Sequence, residues 1–247
     1  MESFDEYTYA DFITLGLDWE QAKRFALRVL DYILLEESLL LKVKGVELSV
    51  PKPSKALKLA SFDVTYVPLM EKADTGLICV GVFDGESCRT HLLLRDFSYT
   101  KDASRVDQEL SQLVNEGFTL LVYDLPSMSR TLEAVELRLA SLLFRSLREE
   151  GKLIDVKGET QKILEVGVAP LEEVEKIIEY QRSTSISDVL YEAANSQKRI
   201  SLAPPGKWHN FTKFLGEKLE AYAAENCKSI YLLHLALQAL KRKEGFQ

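Results

Sequence analysis

Phe118-Thr119-Leu120-Leu121-Val122-Tyr123 is a nearly unbroken apolar run between Gly117 and Asp124, and few environments accept one. Successive side chains of a strand point to opposite faces, so such a run predicts a strand covered on both sides. Helices on both faces of a sheet are the usual cover, which makes this an α/β chain. The flanking segments agree. Residues 57–67 are rich in β-branched and aromatic types, and 76–83 read as a second strand. Asp84-Gly85 predicts a two-residue hairpin turn into a third strand over 87–94. From Asp102 to Glu116 the pattern becomes helical, with Ala103, Val106, Leu110, Leu113 and Val114 on one face and Gly117 as the stop. A long helix over 130–150 ends at Gly151, a short strand follows over 152–156, and the remainder is mostly helical. Pro204-Pro205-Gly206 predicts a loop before the last two helices.

Three strands joined by hairpins, followed by alternating helices and strands, predict a mixed sheet: a meander, then β-α-β crossovers. That order resembles the ribonuclease H fold. Ahead of it, Asp18 and Gln21 form a variant capping box. Ala22, Phe25, Ala26, Val29, Leu30, Ile33 and Leu34 then line one helical stripe. A stripe of that size is expected to pack on the core or on a second subunit. Pro51-Lys52-Pro53 reads as an extended connector, so the expected division is an N-terminal helical segment over 1–50 and a ribonuclease-H-like domain over 51–247.

The formal charge of −7 argues against a general polyanion binder, because phosphate affinity comes from Lys and Arg. It does not argue against a nuclease, whose metal site is itself acidic. Cys79, Cys88 and Cys227 form no CxxC pair and no even set, which excludes a disulfide framework as the organising device. The start of the chain lacks the basic and apolar regions of a signal peptide, and the apolar stretch near Ile230–Leu240 is too short to span a bilayer. The expectation is a soluble protein of a reducing, cytoplasmic setting, without membrane contact.

Three carboxylates invite chemistry. Asp63 stands in the middle of the first strand, where a charge is costly unless paired, hydrogen-bonded or bound to a cation. Asp124 ends the fourth strand, and sites in open α/β sheets lie at the carboxyl ends of strands. Glu109 flanks the apolar face of the intervening helix. Together they predict a convergent oxygen-ligand site for Mg2+ or Mn2+, able to activate water for phosphodiester cleavage. The bland alternatives are a strand-edge Asp facing water, an Asp organising a turn, and a solvated helix Glu.

On these residues the chain resembles the NurA nucleases, archaeal and bacterial enzymes with a ribonuclease-H-like core that work with the HerA helicase. The family's Asp-Gly-Ser motif corresponds to Asp63-Val64-Thr65, its helix ligand to Glu109 with Arg105 one turn earlier, and its second Asp-Gly to Asp124-Leu125-Pro126. Lys157 matches a Lys after the following strand, and Ser187-Asp188-Val189-Leu190 with Lys198-Arg199 resembles a later segment. The resemblance runs from about Ser61 to Arg199. It implies catalytic Asp63, Glu109, Asp124 and Lys157, metal ligation by the three carboxylates, DNA as substrate, a HerA-type helicase partner and a homodimer. Asp188, Tyr231 and His234 are further candidates. Both family glycines are replaced, by Val64 and Leu125, and Tyr231 and His234 keep the residue types of the family's C-terminal helix but not their spacing. Lys152, Lys157, Lys162, Lys198, Arg199 and Lys207 are candidate phosphate contacts, and Trp208 a candidate base-stacking residue.

Two other readings stand beside this one. The 3′–5′ proofreading-type exonucleases share the fold and open with Asp-x-Glu on the first strand. Here Thr65 occupies the Glu place, and Ser229 falls where a final Asp is expected, so that reading implies an inactivated enzyme. The other is a degenerate nuclease fold kept as a scaffold for a helicase or repair partner.

Overall fold

The structure, a computed structural model, describes residues 38–69, 76–95, 99–202 and 208–244. The expected N-terminal helix over 18–34, Lys207 and the Trp208 side chain lie outside the described residues. The chain separates into two compact units, residues 1–40 with 49–52, and residues 41–48 with 53–247. Of the first unit only 38–40 and 49–52 are described, and they belong to strands β1 (Ser38–Val43) and β2 (Val46–Pro51). These pair as a hairpin turning through Lys44 and Gly45, both at positive φ. Residues 38–50, expected within the N-terminal helical segment, are therefore a β-hairpin.

The second unit is an α/β fold on a mixed five-stranded sheet. Its strands are β3 (Leu59–Pro68), β4 (Gly76–Phe83), β5 (Cys88–Arg95), β6 (Thr119–Val122) and β7 (Leu153–Asp155). Their order is β5-β4-β3-β6-β7. β3, β4 and β5 form an antiparallel meander, and β6 and β7 run parallel to β3. The predicted sequence of hairpins and crossovers is thus observed. The helices are α1 (Tyr99–Asn115), α2 (Leu125–Ala134), α3 (Arg138–Glu149), α4 (Val156–Leu164), α5 (Leu171–Glu175), α6 (Ile186–Ser201) and α7 (Trp208–Glu244).

Register decides which residues share a face. Phe62 pairs with Val82, Val64 with Val80 and Tyr66 with Ile78. These belong to a core shared with Val106 and Leu110 of α1, Leu132 of α2, and Ala140 and Phe144 of α3. Phe62 and Phe144 meet edge to face, with ring centroids 5.1 Å apart. Ser61, Asp63, Thr65 and Val67 point the other way, with Phe83, Gly81, Cys79 and Leu77 across from them. That second face packs on α6 and α7 through Val189, Ala193, Leu215, Leu219 and Ala223.

Three local expectations need correction. The turn after β4 holds four residues, because the Asp84 carboxylate accepts the Glu86 and Ser87 N–H groups at 3.0 and 2.8 Å and rounds the chain into a longer loop. Gly85 is required there: its φ is +95°, and a Cβ would lie 2.7 Å from the Ser54 backbone. The helix expected over 130–150 is two, α2 and α3. The chain breaks at Glu136, at φ 59°, so that Val135 and Leu137 on either side are both buried. The last two helices are a single one, α7, 37 residues long.

Gly81 sets how closely α7 approaches. A Cβ there would sit 2.9 Å from both the Ala223 carbonyl and the Cys227 sulfur. The backbone contact is fixed on its far side by the Ser61 hydroxyl, which donates to the Cys227 carbonyl at 2.6 Å. Gly81→Ala is expected to destabilise the fold by about 1–3 kcal/mol, as overpacking of a tight core does. A fall in the urea midpoint with an unchanged m-value checks it, and an unaltered midpoint refutes it.

Candidate functional site

The β3–β6 ladder covers only Leu59–Ser61 against Thr119–Leu121. Beyond Ser61, β3 continues to Pro68 with no strand on that side among the described residues, and α2 begins just after β6. The gap at the carboxyl ends of these two parallel strands is a cavity of about 540 Å3. Asp63, Thr65, Tyr66, Ser127, Arg130, Thr131, Tyr222 and Asn226 are among its lining residues. Cavities in open α/β sheets fall at such places.

Asp63 is half-buried on the α7 face. Its Oδ2 accepts the Thr65 hydroxyl at 3.1 Å and the Asn226 side-chain amide at 3.0 Å. Burial pushes its carboxyl above the ordinary aspartate value, with Asn226, Thr65 and the Arg182 charge opposing the rise. Asn226 in turn accepts Arg182 Nη2 at 3.0 Å through Oδ1. Arg182 binds both oxygens of Glu175, which is 2% exposed, and reaches Glu172 Oε1 at 3.5 Å. Its guanidinium also lies 5.2 Å from the centre of the Tyr222 ring. The chain Asp63–Asn226–Arg182–Glu175 thus ties the central strand to α7, to α5 and to the loop before α6. A buried ion pair holds together only when its remaining donors are used, and here side chains use them.

Asp124 follows β6 at φ 61°, a left-handed conformation that an Asp tolerates better than most residues. Its Oδ1 caps α2 by accepting the Ser127 N–H at 3.2 Å, and its Oδ2 pairs with Lys157 Nζ at 2.6 Å. Partial burial alone pushes the Asp124 carboxyl up, but the Lys157 bond and charge and the Ser127 N–H outweigh it and hold the value low. Lys157 stands in the first turn of α4, whose cap is Asp155. Asp63 and Asp124 therefore sit near one end of the sheet, and Ser127 links the cap of Asp124 to the cavity of Asp63.

Glu109 does not join them. Arg89 and His91 of β5 hold its two oxygens. Arg89 pairs across the ladder with Val82, and His91 with Val80, so both project from the α1 face, while Asp63 shares the opposite face with Gly81. Arg89 also binds Asp84 at 2.7 Å. The sheet separates Glu109 from Asp63, and the expected convergence of three carboxylates is not formed. Among the described residues no group of three or more His, Cys, Asp or Glu side chains is placed to hold a metal ion.

The other candidates serve the fold. Asp188 completes the capping box of α6 with Ser185. Tyr231 is fully buried, its hydroxyl donating to the Ser54 carbonyl at 3.3 Å and its ring against Phe83. His234 lies 3.0 Å from Glu159 of α4, which also accepts from Gln238 and Lys241, so this row joins α4 to α7 away from Asp63. Lys152 pairs with Glu150, and Arg199 approaches Glu192 at 3.8 Å. Asn226 and Arg182 escaped the sequence reading. Asn226 lies one helical turn before Ser229, and its spacing from that position was the available signal; Arg182 in a loop carried none.

Comparison of the chain with protein-family models, curated proteins and solved structures finds no match.

The raised carboxyl of Asp63 has a thermodynamic consequence. A carboxyl whose folded value is raised favours the fold while it is protonated, and that contribution is lost as pH climbs from the ordinary value of 3.8 through the folded one. Asp63→Asn keeps the shape without the ionisation. At pH 7 its thermal midpoint is expected above that of the unsubstituted protein, with the gap closing as pH falls toward 3.8. A variant destabilised at pH 7, with the deficit shrinking as pH falls, would show instead that ionised Asp63 is a net stabiliser.

Proposed function

We propose that this chain is a ribonuclease-H-like protein whose carboxylate site is catalytically silent, and that it acts as a scaffold or binding subunit in DNA processing. The strand order β5-β4-β3-β6-β7, with a meander on one side of β3 and parallel crossovers on the other, supports the fold assignment. The observation that carries the silent-site reading is the pair of donors on Asp63. In the exonuclease pattern, Asp-x-Glu on the first strand and a late Asp supply carboxylate oxygens to cations. Here Thr65 stands at the Glu place, buried Ser229 at the place of the late Asp, and Thr65 and Asn226, one helical turn before Ser229, donate hydrogen bonds to Asp63. The donors lie where a cation would otherwise bridge acidic side chains. Two-metal hydrolysis depends on several hard oxygen ligands converging, and a single carboxylate satisfied by an amide and a hydroxyl offers few. The net charge of −7 favours a protein partner over bare DNA as the main contact.

A NurA-type deoxyribonuclease using Mn2+ or Mg2+, with a HerA-type helicase partner and a homodimeric assembly, is the second reading. The placement of Asp63 in mid-β3, just past the end of the β3–β6 ladder, with Asp124 directly after the parallel strand β6, favours it. The position of Glu109 on the other sheet face weighs against it. A helicase-type partner and a second copy are common to both readings, and DNA as the bound substrate belongs to the second. The −7 charge and the absence, among the described residues, of any helix long and apolar enough to cross a membrane are consistent with either.

Incubation of the purified protein with labelled single-stranded DNA and Mn2+ or Mg2+ separates them. No cleavage is expected, alone or with a helicase of the HerA type. The double substitution Thr65→Glu with Asn226→Asp is expected to create Mn2+ binding, detected by electron paramagnetic resonance, that the unsubstituted chain lacks. Mn2+-dependent cleavage abolished by Asp63→Ala would establish the nuclease instead.

A further inference from the structure

The cavity beside Asp63 carries charges that the silent-site reading leaves without a task. On the sheet side stands the Asp63 carboxyl, whose side-chain donors both use Oδ2 and which also takes the Val64 backbone N–H. On the α2 side stands exposed Arg130, whose charge also helps hold the Asp124 carboxyl low but which makes no direct ion pair among the described residues, one position from Thr131 and three from Ser127. Tyr66 and Tyr222 supply aromatic walls, and Val64, Val135 and Ile186 apolar surface. A volume of about 540 Å3 is ample for a small organic molecule.

One carboxylate and one guanidinium on the lining sum to zero, so the complementary ligand is itself dipolar. A divalent cation would meet a single carboxylate with an arginine in the same cavity. A nucleoside phosphate would bring two negative charges toward Asp63. An ammonium group suits Asp63 Oδ1, which no side-chain donor meets, and neighbouring Tyr rings favour a cation near their faces. A carboxylate suits the planar donor fork of an arginine, with Ser and Thr hydroxyls beside it. We propose that this cavity binds a small amine-carboxylate zwitterion, a free amino acid being the simplest, with its ammonium on Asp63 and its carboxylate on Arg130. The side chain of the ligand lies against Val64, Val135 and Ile186. The proposal rests on the reading of Asp63 as a site without a resident metal.

The test uses the full chain and free L-amino acids, one at a time, with MnCl2 as a separate arm. At least one amino acid is expected to raise Tm by roughly 3–6 °C at about ten times its Kd. Its N-acetyl and carboxamide derivatives, which each lose one charge, are expected not to bind. Arg130→Gln lies at an exposed position and leaves the fold intact; it is expected to weaken binding about tenfold or more, and Asp63→Asn likewise. No shift with any amino acid, or equal binding of the blocked derivatives, overturns the proposal. A Tm rise with MnCl2 and none with amino acids overturns the metal-free reading along with it, whereas silence from both overturns the ligand alone.

Discussion

The Asn226 amide bond to Asp63 is the contact on which the arrangement of the second sheet face depends. A carboxyl enclosed between a strand and a helix destabilises the fold unless donors meet it. The donors come from the strand itself, through Thr65, and from α7, through Asn226. Asn226 reaches Asp63 because Gly81 on the neighbouring strand lets the helix backbone come within van der Waals distance at Ala223 and Cys227. One glycine, one serine hydroxyl on a carbonyl and one amide thus fix the depth and rotation of a helix roughly 55 Å long. The opposite oxygen of the amide passes the constraint to Arg182, and through it to buried Glu175.

The sheet then acts as a divider of charge. On the α1 face, Glu109 is neutralised by Arg89 and His91, and Arg89 also holds the Asp84 loop closed. On the α7 face, Asp63 is met directly by the dipoles of Thr65 and Asn226, with the Arg182 charge behind Asn226. At the strand ends, Asp124 has Lys157. Each carboxylate that resembles a metal ligand in sequence has found its own partner, and no two of them share one. Such pairing spares the fold unpaired buried charge, which is among the costliest features a core can hold.

Much of the architecture was legible from periodicity. The second strand of the sheet, Gly76–Phe83, has the predicted limits, and the apolar run before Asp124 is the strand covered on both faces. Prediction failed where local pattern competes with burial. The break at Glu136 has no Gly or Pro to announce it; it follows from sinking Val135 and Leu137 into one core. The Asp84 turn lengthened because a side chain outcompeted the backbone for two N–H groups. Asp63 and Asp124 were found at strand positions suited to a site, but the face of Glu109 depends on which β5 residues oppose Val80 and Val82, and that register is a tertiary fact. Asn226 passed unnoticed because an amide on a long helix is chemically plain until its neighbour is known.

The central claim is that hydrogen bonds, not a cation, satisfy Asp63. The Asn226 side-chain amide reports on this directly in 1H–15N spectra recorded during a Mn2+ titration. Its two cross-peaks are predicted to keep their intensity at equimolar Mn2+, as the paramagnetic ion finds no seat beside Asp63. Selective broadening of those peaks beyond detection, while distant amides stay sharp, would place the metal at Asp63 and contradict the account.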